Sequence, residues 1–301
     1  FEALRSAEGD YLIQDYQISY LNSGRDLLKF DLNEPSREPA VIVANPDYET
    51  ASGSPALGEG QGVRATGQQS IDLSQLQVGP LPGTAAEAAA IAPLLPNATV
   101  LTETQATENA LKQVDAPRIL HIATHGFFLA DVARNEAGRG LGVVSAAAPS
   151  SRAPSVTVEN PLLRSGLALA GFNARSSGSG DGVLTALEAS GLNLLGTQLV
   201  VLSACETGLG ELAAGEGVYG LRRAFVLAGS HSQVISLWKV DDIATQELMV
   251  DYYDRLISGT PRDASLRETQ LAFLNSDEYS HPYYWAAFIG SGDWRAIEMN
   301  P

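Results

Sequence analysis

Short runs of apolar residues recur along the chain, each closed by small or polar residues. Ala40–Ala44 reads AVIVA and stops at Asn45, Pro46 and Asp47, residues that favour a turn. Arg118–Phe128 reads RILHIATHGFF, Gly166–Gly171 reads GLALAG, and Leu199–Leu202 reads LVVL. Apolar residues at consecutive positions predict strands buried on both faces, the pattern of a parallel sheet covered by helices. Ala98–Leu101, Gln233–Leu237 and Trp285–Ile289 predict further strands. Tyr11–Tyr20 alternates and is aromatic and β-branched, which predicts one or two strands near an edge.

Helical patterns lie between these runs. Thr84 with Glu87 has the capping-box spacing and predicts a helix through EAAAIAPLL to Pro96. Thr107 caps a second helix to Val114, and Thr185 with Glu188 opens a third over Leu184–Leu195. Val218–Ala228, Asp241–Ile257 and Ser265–Leu274 predict three more. Strands alternating with helices point to α/β architecture with a mostly parallel sheet sandwiched between helices. Glu49–Gly79 and Leu129–Glu159 are poor in apolar residues and predict long loops, with a flexible turn at Ser176–Gly182.

Charge narrows the partners. The 301 residues carry a net charge of −16 with only three lysines, Lys29, Lys112 and Lys239. Nucleic acid needs a basic footprint that this composition lacks, so it is excluded, whereas a basic peptide or protein would be attracted. No apolar run approaches the roughly 20 residues of a membrane span. A single cysteine forms no internal disulfide, which fits a reduced, cytoplasmic setting. The chain begins at Phe1 rather than Met, so it is expected to be a piece of something longer.

The candidate chemistry sits at two strand ends. Ligands bind at the carboxyl edge of an open α/β sheet, and both Cys205 and His125 follow apolar strands there. If those strands are neighbours, the lone thiol meets an imidazole, the pairing of an activated cysteine nucleophile. Gly126 lets backbone approach a substrate, and its N–H with that of Cys205 could bind a developing oxyanion. His121 lies deeper in the same strand and reads as structural. His231 precedes the next strand, at its amino end, and His281 sits in a turn. No third carboxylate is assigned, Glu188 being an orienter only by its place in the sequence. Asp241 and Asp242 follow the next strand and could form an acidic pocket for a basic residue before the cut bond, or Asp241 could simply cap its helix.

Other patterns lead nowhere. The GxGxxG at Gly215–Gly220 does not directly follow a strand and sits among Glu206, Glu211 and Glu216, which would repel a pyrophosphate. The sequence contains no HExxH, no paired CxxC, no nucleophile elbow and no P-loop, so no metal or cofactor is expected.

The segments HIATHGFF (His121–Phe128), ENPLLRSGLALAG (Glu159–Gly171), DGVLTALEASGLNL (Asp181–Leu194), LVVLSACETGLG (Leu199–Gly210), GEGVYGLRRAFVLAG (Gly215–Gly229), VISLWKVDD (Val234–Asp242) and HPYYWAAFIGSG (His281–Gly292) resemble the CHAT domain. The resemblance runs from about Leu12 to Trp294. It implies a bacterial, caspase-like cysteine endopeptidase related to separases and gingipains. The catalytic pair would be His125 and Cys205, and the oxyanion hole the backbone of Gly126 and Cys205. Residues 1–115 would be the N-terminal part of that fold, with edge strands, a buried strand and a mobile loop. Residues 116–301 would be the catalytic part. The partners implied are a protein substrate and a regulatory tetratricopeptide-repeat domain outside this chain. SACETG in place of QACRG, and an 80-residue His-to-Cys separation, argue against caspase-type aspartate specificity. The alternative is a catalytically silent caspase-like scaffold in a signalling complex. Arg134, Arg139 and Arg152 are candidate self-cleavage positions.

Overall fold

A computed structural model describes residues 1–31, 34–51, 76–129, 160–203, 205–206, 214–238 and 241–297. In chain order the strands are β1 (Val41–Pro46), β2 (Thr99–Glu103), β3 (Ile119–Ala123), β4 (His125–Phe128), β5 (Ser165–Ala168), β6 (Val183–Thr185), β7 (Leu199–Leu202), β8 (Cys205–Glu206), β9 (Ser232–Ser236) and β10 (Phe288–Gly292). The α-helices are α1 (Leu12–Asp15), α2 (Pro82–Ile91), α3 (Glu108–Lys112), α4 (Ala186–Ala189), α5 (Ala214–Ala228), α6 (Asp242–Ile257), α7 (Arg262–Leu274) and α8 (Pro282–Trp285).

The large sheet has the order β10-β9-β7-β3-β1-β2, parallel throughout except for β10 against β9. Its consecutive apolar residues divide between two cores, as side chains alternate across a strand. Ile42, Ile119, Leu199, Val201 and Val234 face a cluster built on α2, α6, α7 and Trp285. Val41, Val43, Leu120, Ile122, Val200 and Leu202 face the opposite cluster, which includes Leu111, Ala186, Leu221 and Phe225. This is the mostly parallel sheet between helices that the patterning predicts. A smaller sheet, β6-β5-β4-β8, covers a third cluster of Tyr48, Leu76, Val78, Phe127, Phe172 and Val183.

Several local expectations are corrected. Within Tyr11–Tyr20, Leu12–Asp15 is helical, and strand-like pairing is limited to single bridges at Tyr11 and Tyr20. Thr84 lies inside α2, which starts at Pro82. Proline suits a first helical turn because its missing N–H would have no partner there. The Thr84 hydroxyl donates to the Leu81 carbonyl at 2.7 Å and accepts from Asn45 N–H at 3.0 Å. The segment read as a helix from Leu184 begins as β6, and α4 runs only four residues, although Thr185 and Glu188 do form the capping box. Trp285 ends α8, and the last strand starts at Phe288. Most of Glu49–Gly79, nearly all of Leu129–Glu159 with its three arginines, and residues 207–213 lie outside the described residues.

Candidate active site

The two strands that carry the candidate pair are neighbours. β3 and β7 run parallel with His121 opposite Val201 and Ile122 opposite Leu202. The Ser203 N–H continues the ladder, donating to the Ile122 carbonyl at 3.0 Å. Both chains then leave the large sheet and pair again in the small one, where His125 stands opposite Cys205 and Gly126 opposite Glu206. The offset of 80 residues is the same in both sheets, so the register is carried across the switch. Paired positions on adjacent strands lie roughly 5 Å apart. The backbone therefore brings His125 and Cys205 side by side. Gly126 is flanked by Leu167 on its other side.

Thr124 sits at the switch and is fully buried. Its hydroxyl donates to the Ala168 carbonyl and pairs with the Tyr48 hydroxyl at 3.0 Å. The Tyr48 ring lies 5.3 Å from the His125 ring, tilted by 44°. His125 Nε2 is 2.8 Å from the Gly79 carbonyl. A carbonyl only accepts, so Nε2 is the donor of that bond. Gly79 is itself held in place, because the preceding residues are tied to the turn after β5. Val78 N–H donates to Asn173 Oδ1 at 3.0 Å, Asn173 Nδ2 donates to the Val78 carbonyl at 2.9 Å, and Arg175 Nη2 donates to the Leu76 carbonyl at 2.9 Å. Leu76 and Val78 are buried. Tyr48, Asn173 and the Gly79 carbonyl were not found from sequence. A main-chain carbonyl has no residue signature, and the segment reads as loop.

The remaining histidines are placed elsewhere. His121 is fully buried, with Nδ1 3.1 Å from the Tyr253 hydroxyl and Nε2 3.2 Å from Glu87 Oε1. His231 lies at the amino end of β9, where burial first and the nearby Arg262 charge second hold its pKa below the usual value. His281 caps α8, its Nδ1 accepting from Tyr283 N–H at 3.1 Å. Glu188 is occupied by its capping box and by Lys112, 2.9 Å away.

Asp241 and Asp242 open α6 at the same edge of the sheet. Asp241 Oδ1 accepts from the N–H groups of Ile243 and Ala244, both at 3.0 Å, so it is the N-cap. Asp242 is exposed, and its carboxylate lies against Gly83, four residues after the carbonyl that meets His125. A Cβ at Gly83 would meet the Asp242 side chain, which would have to move aside. Among the described residues there is no group of three or more metal-ligating side chains, and no helix is long and apolar enough to cross a membrane.

The chain is thus a mostly parallel α/β protein with a histidine and a cysteine at the ends of neighbouring strands. The model of the CHAT domain matches residues 1–293, and the chain belongs to that family. It is similar to tetratricopeptide repeat protein 28 of Mus musculus, 36% identical over 111 residues that make up 36% of this chain and 4% of that protein. The Homo sapiens protein of the same name is 34% identical over 107 residues, 36% of this chain and 4% of that one. The chain thus matches only about 4% of the length of these relatives. Among solved structures it is similar to the Arg-specific cysteine proteinase gingipain R, with a TM-score of 0.44 and 8% identity, covering 86% of this chain and 46% of that one.

Proposed function

We propose that the chain is a thiol endopeptidase acting on a protein substrate, with Cys205 as nucleophile and His125 as general acid and base. The observation that carries this is the register that sets His125 opposite Cys205 on adjacent strands. The Gly79 carbonyl supports it, because it orients the imidazole and keeps the proton on Nε2. In this reading Cys205 passes its proton to His125 Nδ1 and the thiolate adds to the scissile carbonyl carbon. The backbone N–H groups of Gly126 and Cys205 receive the oxyanion. The C–N bond then breaks and the leaving amine takes the proton from Nδ1. A water, deprotonated by the same nitrogen, adds to the thioester carbonyl. Breaking the C–S bond releases the new carboxylate and restores the thiol.

Asp242, exposed beside Gly83, with Asp241 behind it in the cap, favours a basic residue before the cut bond. The names of the mammalian relatives support regulation by tetratricopeptide repeats, and the lone cysteine fits a cytoplasmic setting. The test is labelling with an acyloxymethyl ketone carrying arginine at that position. Labelling of Cys205 that His125→Ala abolishes is the expected result. A chain that resists arginine, lysine and aspartate versions alike, alone and joined to its repeats, overturns the peptidase reading.

A further inference from the structure

Directly behind the candidate dyad lies a chain of four buried polar side chains from four elements. Glu87 of α2 is 2% exposed, His121 of β3 and Tyr253 of α6 are fully buried, and Ser203, just past β7, is 5% exposed. Ser203 Oγ donates to Glu87 Oε2 at 3.0 Å. Glu87 Oε1 lies 3.2 Å from His121 Nε2, near but not aligned as a hydrogen bond, and neither atom has a hydrogen-bond partner. His121 Nδ1 shares a hydrogen bond with the Tyr253 hydroxyl at 3.1 Å.

Buried pairs of this kind are a poor way to gain stability, since desolvation cancels much of the attraction and apolar residues of similar volume often do as well. What such a network supplies is fixed geometry. Here the fixed point is informative. Ser203 lies two residues before Cys205 and is held twice, by its N–H to Ile122 on β3 and by its hydroxyl to Glu87 on α2. The segment leading into α2 holds the other partner, through the Gly79 carbonyl on His125. The chain from Gly79 to Glu87 therefore braces the histidine at one end and the approach to the cysteine at the other.

We infer that Glu87 and Ser203 are positioning residues of the active site, their hydrogen bond setting the place of Cys205 relative to His125. This rests on the peptidase reading. A displacement of about 1 Å in such a pair costs on the order of a hundredfold in rate.

Because Cys205 is the only cysteine, alkylation by iodoacetamide reports on that sulfur alone. The experiment follows the alkylation rate against pH for the full chain and four variants. His125→Ala should move the thiol titration up towards the free value of about 8.5. Ser203→Ala should move it in the same direction, lowering the rate at pH 6 about tenfold for each pH unit of displacement. Its urea unfolding midpoint should fall, because a buried carboxyl oxygen loses its donor, so the displacement is read on the folded chain below the unfolding transition. Ser203→Thr, which keeps the hydroxyl, should restore the profile. Glu87→Gln keeps the shape but replaces the carboxyl acceptor of the Ser203 bond with an amide, so it should give an intermediate displacement and serves if Ser203→Ala does not fold. Parent-like profiles for Ser203→Ala, or for Glu87→Gln where it is the variant that folds, while His125→Ala is displaced, overturn the positioning role and leave the dyad standing. A parent-like profile for His125→Ala overturns the dyad itself.

Discussion

Replacing Asp263 with asparagine should reshape the pH dependence of folding. Asp263, the second residue of α7, is 7% exposed, and its Oδ2 has no hydrogen-bond partner. Burial, opposed by Arg262 and reinforced by the carboxylates of Asp293 and Glu2, pushes its carboxyl from 3.8 up to about 7. Between those values the folded chain holds a proton that the unfolded chain has lost. Folding there takes up a proton, so stability falls as pH rises through the window and levels off above about pH 8. The full separation corresponds to about 4 kcal/mol, and relaxation of the site reduces this towards about 2. Asp181, held at about 6 by burial and by Glu108, acts in the same direction. His231 opposes both, because a histidine neutral in the fold and charged when unfolded gains stability as pH rises towards 6.5. Asp47 and Asp293 are held below 3.8, so the stability they add is fully present above about pH 5 and gives no slope there. Subtracting the parent curve from that of Asp263→Asn cancels all of these. Urea unfolding should find the variant favoured at pH 8 by about 2 to 4 kcal/mol relative to its standing at pH 4, where both side chains are neutral. A difference that does not change between pH 4 and pH 8 would refute the reasoning.

Three further substitutions probe the fold. Thr185→Ala removes the hydroxyl that accepts from Glu188 N–H at 3.2 Å and donates to the Glu188 carboxylate at 2.8 Å, and should cost about 1 kcal/mol in urea unfolding. Trp285→Ala empties a fully buried site where the indole packs edge-on against Tyr11 at 5.4 Å and donates to the Ser280 carbonyl; about 3 to 5 kcal/mol should be lost, seen as a lowered Tm. Gly182→Ala places a Cβ 2.6 Å from Phe172 N at a residue with φ of 80°, so calorimetry should find it destabilised by more than the roughly 1 kcal/mol of the left-handed backbone alone.

The sequence made the large sheet legible because its strands are buried on both faces, which leaves runs such as VIVA and LVVL with few other readings. Where one pattern serves two structures, it misled. Thr84 with Glu87 and Thr185 with Glu188 have identical spacing, yet only the second pair caps a helix. Pro82 starts α2 two residues before Thr84, and Glu87 turns inward to Ser203 and His121 instead of back to the helix end. A real box also hid β6, since Thr185 closes that strand and caps α4 at once. The Arg118–Phe128 run reads as one strand because nothing in its pattern marks Thr124, where the chain changes sheets through hydroxyl bonds to Ala168 and Tyr48.

The candidate site divides along the same line. Placing His125 beside Cys205 needs only that two apolar strands be neighbours and keep one register, and both strands announce themselves. The groups proposed to orient the pair do not. One is the carbonyl of Gly79, which any residue would supply, and the other is a carboxylate whose spacing imitates a helix cap. Both belong to the segment around α2, about 40 to 125 residues before the pair they serve. Local pattern carries no information over that separation, whereas the fold converts it into contacts of 2.8 and 3.0 Å. Candidate reacting residues can thus be read from strand ends, while the residues proposed to aim them become visible only when the sheet is assembled.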